Sequence, residues 1–194
     1  IRLGFLTPVP LAWAIAAPQR IFENPGRPTG YAQAASFLLT RDLEHAGDLL
    51  HWAHSGMTDQ TPYFYPSLAA FLARAHEAGF YHDDCSGRNI FVAPGTLFES
   101  VPPASRILKS FAVLDIDHGR VYPRPIPTHH RAVNLFQILR SLRKTGLKSN
   151  ALRMQFLREY LRFAGLDPQT DMRKLEEMID RVAHRKMGMK LLGK

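Results

Sequence analysis

The sequence predicts an α+β protein, and three observations carry that prediction. Short apolar runs suited to strands gather before residue 45, helical patterns dominate after it, and one further pair of apolar runs interrupts the helices. Segregated strands and helices fit α+β, whereas a parallel α/β sheet would need them to alternate along the chain.

Residues 1–30 are punctuated by Pro8, Pro10, Pro18, Pro25, Gly26, Pro28 and Gly30. Prolines at that density leave room for one short strand near Leu11–Ile15 and for no helix. Ala34–Thr40 (AASFLLT) reads as a buried strand, left through the polar connector Arg41-Asp42-Leu43. Glu44–Gly56 reads as a helix ending at its glycine. The clearest helix comes next, with Thr61 as N-cap, Pro62 at the first helical position and Gly79 closing it. Its Phe64, Leu68, Phe71, Leu72 and Ala75 recur at helical spacing and mark a core element. Ile90–Val92 and Ile107–Leu114 read as strands, and Thr128–Lys144, Ser149–Ala164 and Pro168–Lys186 as helices, with Gly165 to Pro168 breaking the last two.

A chain of 194 residues can build one sizeable core, or a large lobe with a remnant of a smaller one. Its best apolar run, Pro8 to Ala17, is interrupted by Pro10 and falls well short of the roughly 20 residues a bilayer span needs. No basic region precedes that run, so it does not read as a secretory signal. Cys85 is the sole cysteine, which excludes an internal disulfide and suits a reducing compartment. The net charge of +8 is unevenly spread: Arg131 to Lys194 hold 15 Lys/Arg against six Asp/Glu, and residues 1–130 hold ten against eleven. The basic surplus therefore belongs to the C-terminal third. It suits an anionic partner, whether nucleic acid, an acidic membrane surface or a phosphorylated substrate, or else simply solvates helix faces.

The chemistry concentrates after the core helix. His82, Asp84 and Asn89 stand in an H-x-D-x-x-x-x-N spacing followed at once by an apolar strand, and Phe111–Leu114 runs into Asp115-Ile116-Asp117. Phosphoryl transfer from ATP needs such parts: a carboxylate to orient the acceptor hydroxyl and take its proton, and an amide oxygen with a second carboxylate to hold Mg²⁺ against the phosphates. By position Asp84 is the base, Asn89 and Asp115 are the Mg²⁺ ligands, and His82 is a structural anchor of the loop. Asp117, two residues on in an extended chain, would share a side with Asp115, while Asp83 is expected to be solvated. Other candidates are weaker. His51 and His54 lie one helical turn apart without a third ligand nearby, His129-His130 starts a helix, and Cys85 reads as a small buried filler. Trp13, Trp52 and the tyrosines do not interleave with basic residues, so no nucleic acid is expected as a partner.

The pattern resembles the eukaryotic-protein-kinase-like superfamily and, more narrowly, the bacterial lipopolysaccharide kinases, which phosphorylate Kdo or heptose of the inner core. Three stretches carry the resemblance: Gly79 to Ile90 (GFYHDDCSGRNI), Val113 to Arg120 (VLDIDHGR) and Asn134 to Arg143 (NLFQILRSLR). Ser36 to Leu43 (SFLLTRDL) is similar to the strand-to-hinge stretch that holds adenine, which implies nucleotide contacts from the backbone of Arg41, Asp42 and Leu43. The resemblance implies a protein-kinase-like fold, with residues 1–43 as a small-lobe remnant and hinge and residues 44–194 as a mainly helical large lobe. It implies ATP as co-substrate, Mg²⁺, a lipopolysaccharide or lipid A-core acceptor, and a place in the cytoplasm or on the inner face of the cytoplasmic membrane.

The departures sharpen the expectation. Ser86 stands where protein kinases carry a lysine, about a dozen residues separate Asp117 from Thr128, and no A-P-E is present after them. A peptide platform is therefore missing, which favours a small or glycolipid acceptor. A kinase of aminoglycoside- or choline-type acceptors, or a pseudokinase binding module, are the alternatives. No Gly-rich loop, strand lysine or αC glutamate precedes the hinge, and the chain opens on Ile1. The expectation is that part of the small lobe is absent from this chain, and that the chain alone is catalytically poor.

Overall fold

The computed structural model describes residues 10–16, 20–24, 27–31, 35–40, 47–55, 63–92, 111–123, 125–145 and 149–191. The chain divides into two compact units, one of which is Pro8–Leu43 and the other of which centres on Glu44–Lys194.

The small unit is built of four strands in two antiparallel pairs. Strand β1 (Pro10–Ala16) pairs with β4 (Ala35–Thr40), setting Trp13 opposite Leu38, and β2 (Arg20–Asn24) pairs with β3 (Arg27–Tyr31), setting Asn24 opposite Arg27. The expectation of one short strand before Ala34 is thus too low by two. A two-stranded ribbon tolerates a proline such as Pro28 at a position outside the ladder hydrogen bonds, so proline density alone does not exclude strands.

In the larger unit β5 (Gly47–Asp48) leads directly into α1 (Leu49–His54). The expected Glu44–Gly56 helix is therefore shorter at both described ends. Asp48 explains the late start: its carboxylate accepts from the His51 N–H at 2.7 Å, which caps α1 one residue before Leu49. Helix α2 (Phe64–Glu77) begins at Phe64, later than the expected Thr61–Pro62 start, and those two residues lie outside the described ones. Pro66 falls in its first turn, where an N–H has no intrahelical partner to lose. Gly79 takes a left-handed φ of +86° just beyond it.

All five apolar positions read on α2 are buried, and so are Ala69, Ala70 and Ala73 behind them. The helix thus runs through the core rather than along it. Phe111 meets Phe71 at 5.1 Å and Phe64 at 6.3 Å between ring centroids, tying α2 to strand β8 (Phe111–Val113). Helices α3 (Thr128–Thr145), α4 (Asn150–Phe163) and α5 (Pro168–Leu191) complete the unit. Leu135, Ile138, Leu142, Phe156, Leu157, Tyr160 and Ile179 close the same core.

Two short ladders bring the chemistry-bearing loops together. Strand β7 (Ile90–Val92) pairs antiparallel with both β5 and β8, with Ile90 opposite Val113. Strand β6 (Phe80–His82) pairs antiparallel with β9 (Gly119–Val121), with His82 opposite Gly119. The loop from β6 to β7 and the loop from β8 to β9 are therefore pinned to each other at both ends.

Candidate active site

The first loop, residues 83–89, carries Asp84 and Asn89, and the second, residues 114–118, carries Asp115. The ladders continue into them: the Leu114 N–H donates to the Asn89 carbonyl at 2.9 Å, and the Asp83 N–H donates to the His118 carbonyl at 2.8 Å. Asn89 gives its amide hydrogens to Asp84, at 2.9 Å to the carbonyl and 3.2 Å to Oδ2. Its side-chain oxygen is thereby left as the atom for a ligand.

Asp115 has φ 57° and ψ 44°, the one non-glycine residue among those described with a positive φ. Aspartate tolerates that left-handed region better than most residues, and such conformations persist where the surroundings enforce them. The chain then turns through a 3₁₀ segment, Ile116–His118. This corrects the expectation that Asp115 and Asp117 share a side of an extended chain, because the strand ends at Val113 and the loop coils. The Asp117 side chain lies outside the described residues, as do the hinge residues Arg41, Asp42 and Leu43. Asp83 stays accessible to solvent, as expected, and its carboxylate accepts from Arg120 Nη2 at 2.9 Å in an exposed pair.

His82 is buried between the two loops. Its Nδ1 accepts from the Asp84 N–H at 3.2 Å, and its Nε2 lies 3.1 and 3.0 Å from the Leu114 and Asp115 carbonyls. An N–H on one side and two carbonyl oxygens on the other assign the Nε2–H tautomer. The ring thus ties the backbone of Asp84 to that of Asp115, and both of its nitrogens are committed to doing so.

Beneath the first loop, α3 presents Asn134, Gln137 and Ser141 on one face, at i, i+3 and i+7. Asn134 donates to the His82 carbonyl at 2.6 Å and accepts from the His82 N–H at 3.3 Å. Gln137 donates to the Asp83 carbonyl at 2.7 Å and accepts from the Cys85 N–H at 3.1 Å. Ser141 Oγ accepts from the Gly87 N–H at 3.0 Å. One helix face therefore grips the loop on both sides of Asp84. Behind it, buried His76 places Nε2 3.3 Å from Asn134 Oδ1 and Nδ1 2.8 Å from the Tyr160 hydroxyl. Burial, with the charge of Arg131 nearby, pushes the His76 pKa down to about 3, so the ring stays neutral. Sequence reading puts Asn134 in a signature and assigns these three residues no role. The available signal is three uncharged polar residues on a helix whose Leu135, Ile138 and Leu142 are core.

The remaining candidates fall away from the site. Burial pushes the Cys85 thiol up to about 12, which leaves it a packed filler rather than a reactive group. His51 and His54 are exposed on α1, and no cluster of three His, Cys, Asp or Glu residues suited to a metal occurs among the described residues. His130 stacks on Tyr81 at 4.3 Å. A hard divalent ion of the Mg²⁺ type nevertheless fits the site by its chemistry. Asn89 and Asp115 offer an amide and a carboxylate oxygen, few enough protein ligands for an ion that keeps waters and phosphate oxygens in its shell.

The sequence matches the family described as "Lipopolysaccharide kinase (Kdo/WaaP) family" over residues 12–160. A comparison with curated protein sequences gave no match. The solved structure "WaaP in complex with acyl carrier protein" aligns with a TM-score of 0.61 at 18% identity, covering 95% of this chain and 69% of that one. At that identity the likeness is one of fold, and it agrees with the expected α+β, protein-kinase-like fold class. The match covers most of the small unit, both loops and the α3 anchor, so the chain belongs to the lipopolysaccharide kinase (Kdo/WaaP) family and is a kinase.

Proposed function

We propose that this kinase transfers the γ-phosphoryl group of Mg·ATP to a hydroxyl of a Kdo or heptose sugar in a lipopolysaccharide core. The observation that carries the reading is the pinning of Asp84, Asn89 and Asp115 on two loops joined by paired ladders and by His82. Asp84 orients the acceptor hydroxyl and takes its proton as the new O–P bond forms and the bond to the departing ADP breaks. Asn89 and Asp115 would hold Mg²⁺, which supplies charge neutralisation for the transferring group when bound. Asn89 also fixes the Asp84 carboxylate through its amide, so the acceptor and metal sides are built as one piece.

The acceptor places the enzyme at the inner face of the cytoplasmic membrane. No helix among the described residues is long and apolar enough to cross a membrane, and the basic C-terminal third suits an anionic leaflet. The acceptor-side base and the two metal-side ligands are all present on the two loops, which supports a kinase over a pseudokinase on this side of the site. With Asp84→Asn, phosphate transfer to a Kdo- or heptose-bearing acceptor should fall by about 10²–10⁴-fold, the scale of a lost general base. Transfer by that variant at the wild-type rate would break the assignment.

A further inference from the structure

A polar cavity of about 250 Å³ opens beside Asp84. Asp84, Ser86, Phe136, Arg140, Lys144 and Lys186 line it, and neither Asn89 nor Asp115 does. The cavity is thus on the acceptor side of the carboxylate rather than among the metal ligands. At ~30 Å³ per water it has room for roughly eight waters, the scale of one sugar ring. Its charge is unbalanced: three cations converge on it from two helices, against the single carboxylate of Asp84. Arg140 and Lys144 stand at i and i+4, a spacing at which like charges repel. No acidic partner for Arg140, Lys144 or Lys186 is found among the ion pairs of the described residues.

We propose that this cavity is an anion-selecting acceptor subsite. It takes a sugar that bears a carboxylate or a phosphate close to the hydroxyl that Asp84 activates. The reading rests on Asp84 as the acceptor-side base. Arg140 and the two lysines hold the anionic group by charge-assisted hydrogen bonds, Phe136 supplies an apolar wall for the ring, and Ser86 offers a hydroxyl. A lysine at position 86 would add a fourth cation next to Asp84; the serine leaves that space to the sugar. A neutral sugar would fill the cavity and leave the three cations without a counterpart, so the discrimination comes from unmatched charge as much as from fit.

The test compares the wild-type chain with Arg140→Gln/Lys144→Gln and, on the other helix, Lys186→Gln. The probes are the methyl glycoside of a sugar acid, its carboxyl-reduced alcohol, and a sugar phosphate. Transfer kinetics and nucleotide-free calorimetric binding are both read. The wild type should favour a charged probe over the alcohol by tenfold or more in KM. Both variants should lose that preference through a tenfold or greater rise in KM for the charged probes, while the KM for ATP stays within twofold. A stronger carboxylate arm identifies a sugar acid and a stronger phosphate arm a phosphorylated sugar. An unchanged preference in both variants overturns the subsite and leaves the kinase reading standing. If no probe is phosphorylated but the acid or the phosphate binds the wild type and binds the variants tenfold more weakly, the subsite stands and the reaction assigned above falls. A wild type that neither binds nor discriminates charged probes overturns the subsite.

Discussion

Helix α3 contains two overlapping regions of opposite character. From Asn134 to Ser141 its uncharged polar side chains are buried or half-buried and spend their hydrogen bonds on five backbone groups of residues 82–87. From Arg140 to Lys144 its charged side chains are exposed, and the two at the ends of that stretch line an open cavity. The first region uses polarity to hold another part of the protein still, and the second leaves it unspent. The difference separates groups kept for folding from groups kept for a ligand: a buried polar group must be satisfied internally, whereas an unmatched charge is tolerated at a site only where water or a ligand reaches it.

The largest effect should come from the anchoring region. Asn134→Ala strands the buried N–H and carbonyl of His82 and removes a partner of His76, and each such group costs about 1–3 kcal/mol. Thermal and denaturant unfolding should show a loss of roughly 3 kcal/mol. In the protein that still folds, kcat should fall by more than tenfold, because the loop bearing Asp84 is displaced. A variant as stable as the wild type would erase the distinction between the two regions. Ser141→Ala should change stability in the same direction by about 1 kcal/mol, since one N–H, that of Gly87, loses its partner.

What the sequence disclosed and what it hid obey the same division. Asp84, Asn89 and Asp115 were legible because each sits in a short contiguous pattern beside an apolar strand, and the core face of α2 was legible from periodicity. The anchors were not, because Asn134, Gln137 and Ser141 lie about fifty residues from the loop they hold, and only the fold brings them together. Strands β6 and β9 were missed for a related reason. Three residues each, Phe80–His82 and Gly119–Val121, are too short to show alternation and exist through their pairing. Asp115 shows a third limit, since nothing in the order of residues foretells a left-handed backbone where a strand was expected to run on.

The His76 ring gives a pH test of the buried region. Its folded pKa of about 3 lies below the ordinary 6.5, so the neutral ring belongs to the folded state and the unfolded chain takes up the proton first. Its contribution is full above pH 6.5 and is lost progressively as pH falls toward 3. The slope this one group adds approaches 1.4 kcal/mol per pH unit inside that window. Urea titrations from pH 7 to pH 4 should show that added slope in the wild type and its loss in His76→Gln, which carries no titrating ring. Equal slopes in the two proteins would mean that the ring is not held neutral.

The smallest effect is the most discriminating, because its sign is opposite to that of the others. Arg140 and Lys144 repel each other at i,i+4 on an exposed face, so Arg140→Gln should leave stability unchanged or raise it by about 0.2–0.5 kcal/mol. Salt should shrink the gain, since exposed like charges are screened within roughly 10 Å at 0.1 M. A protein that keeps a mildly unfavourable pair beside the Asp84 carboxylate has traded stability for something other than folding. If Arg140→Gln instead destabilised the chain by more than 1 kcal/mol, the charge would be serving the fold, and the two regions of α3 would be one.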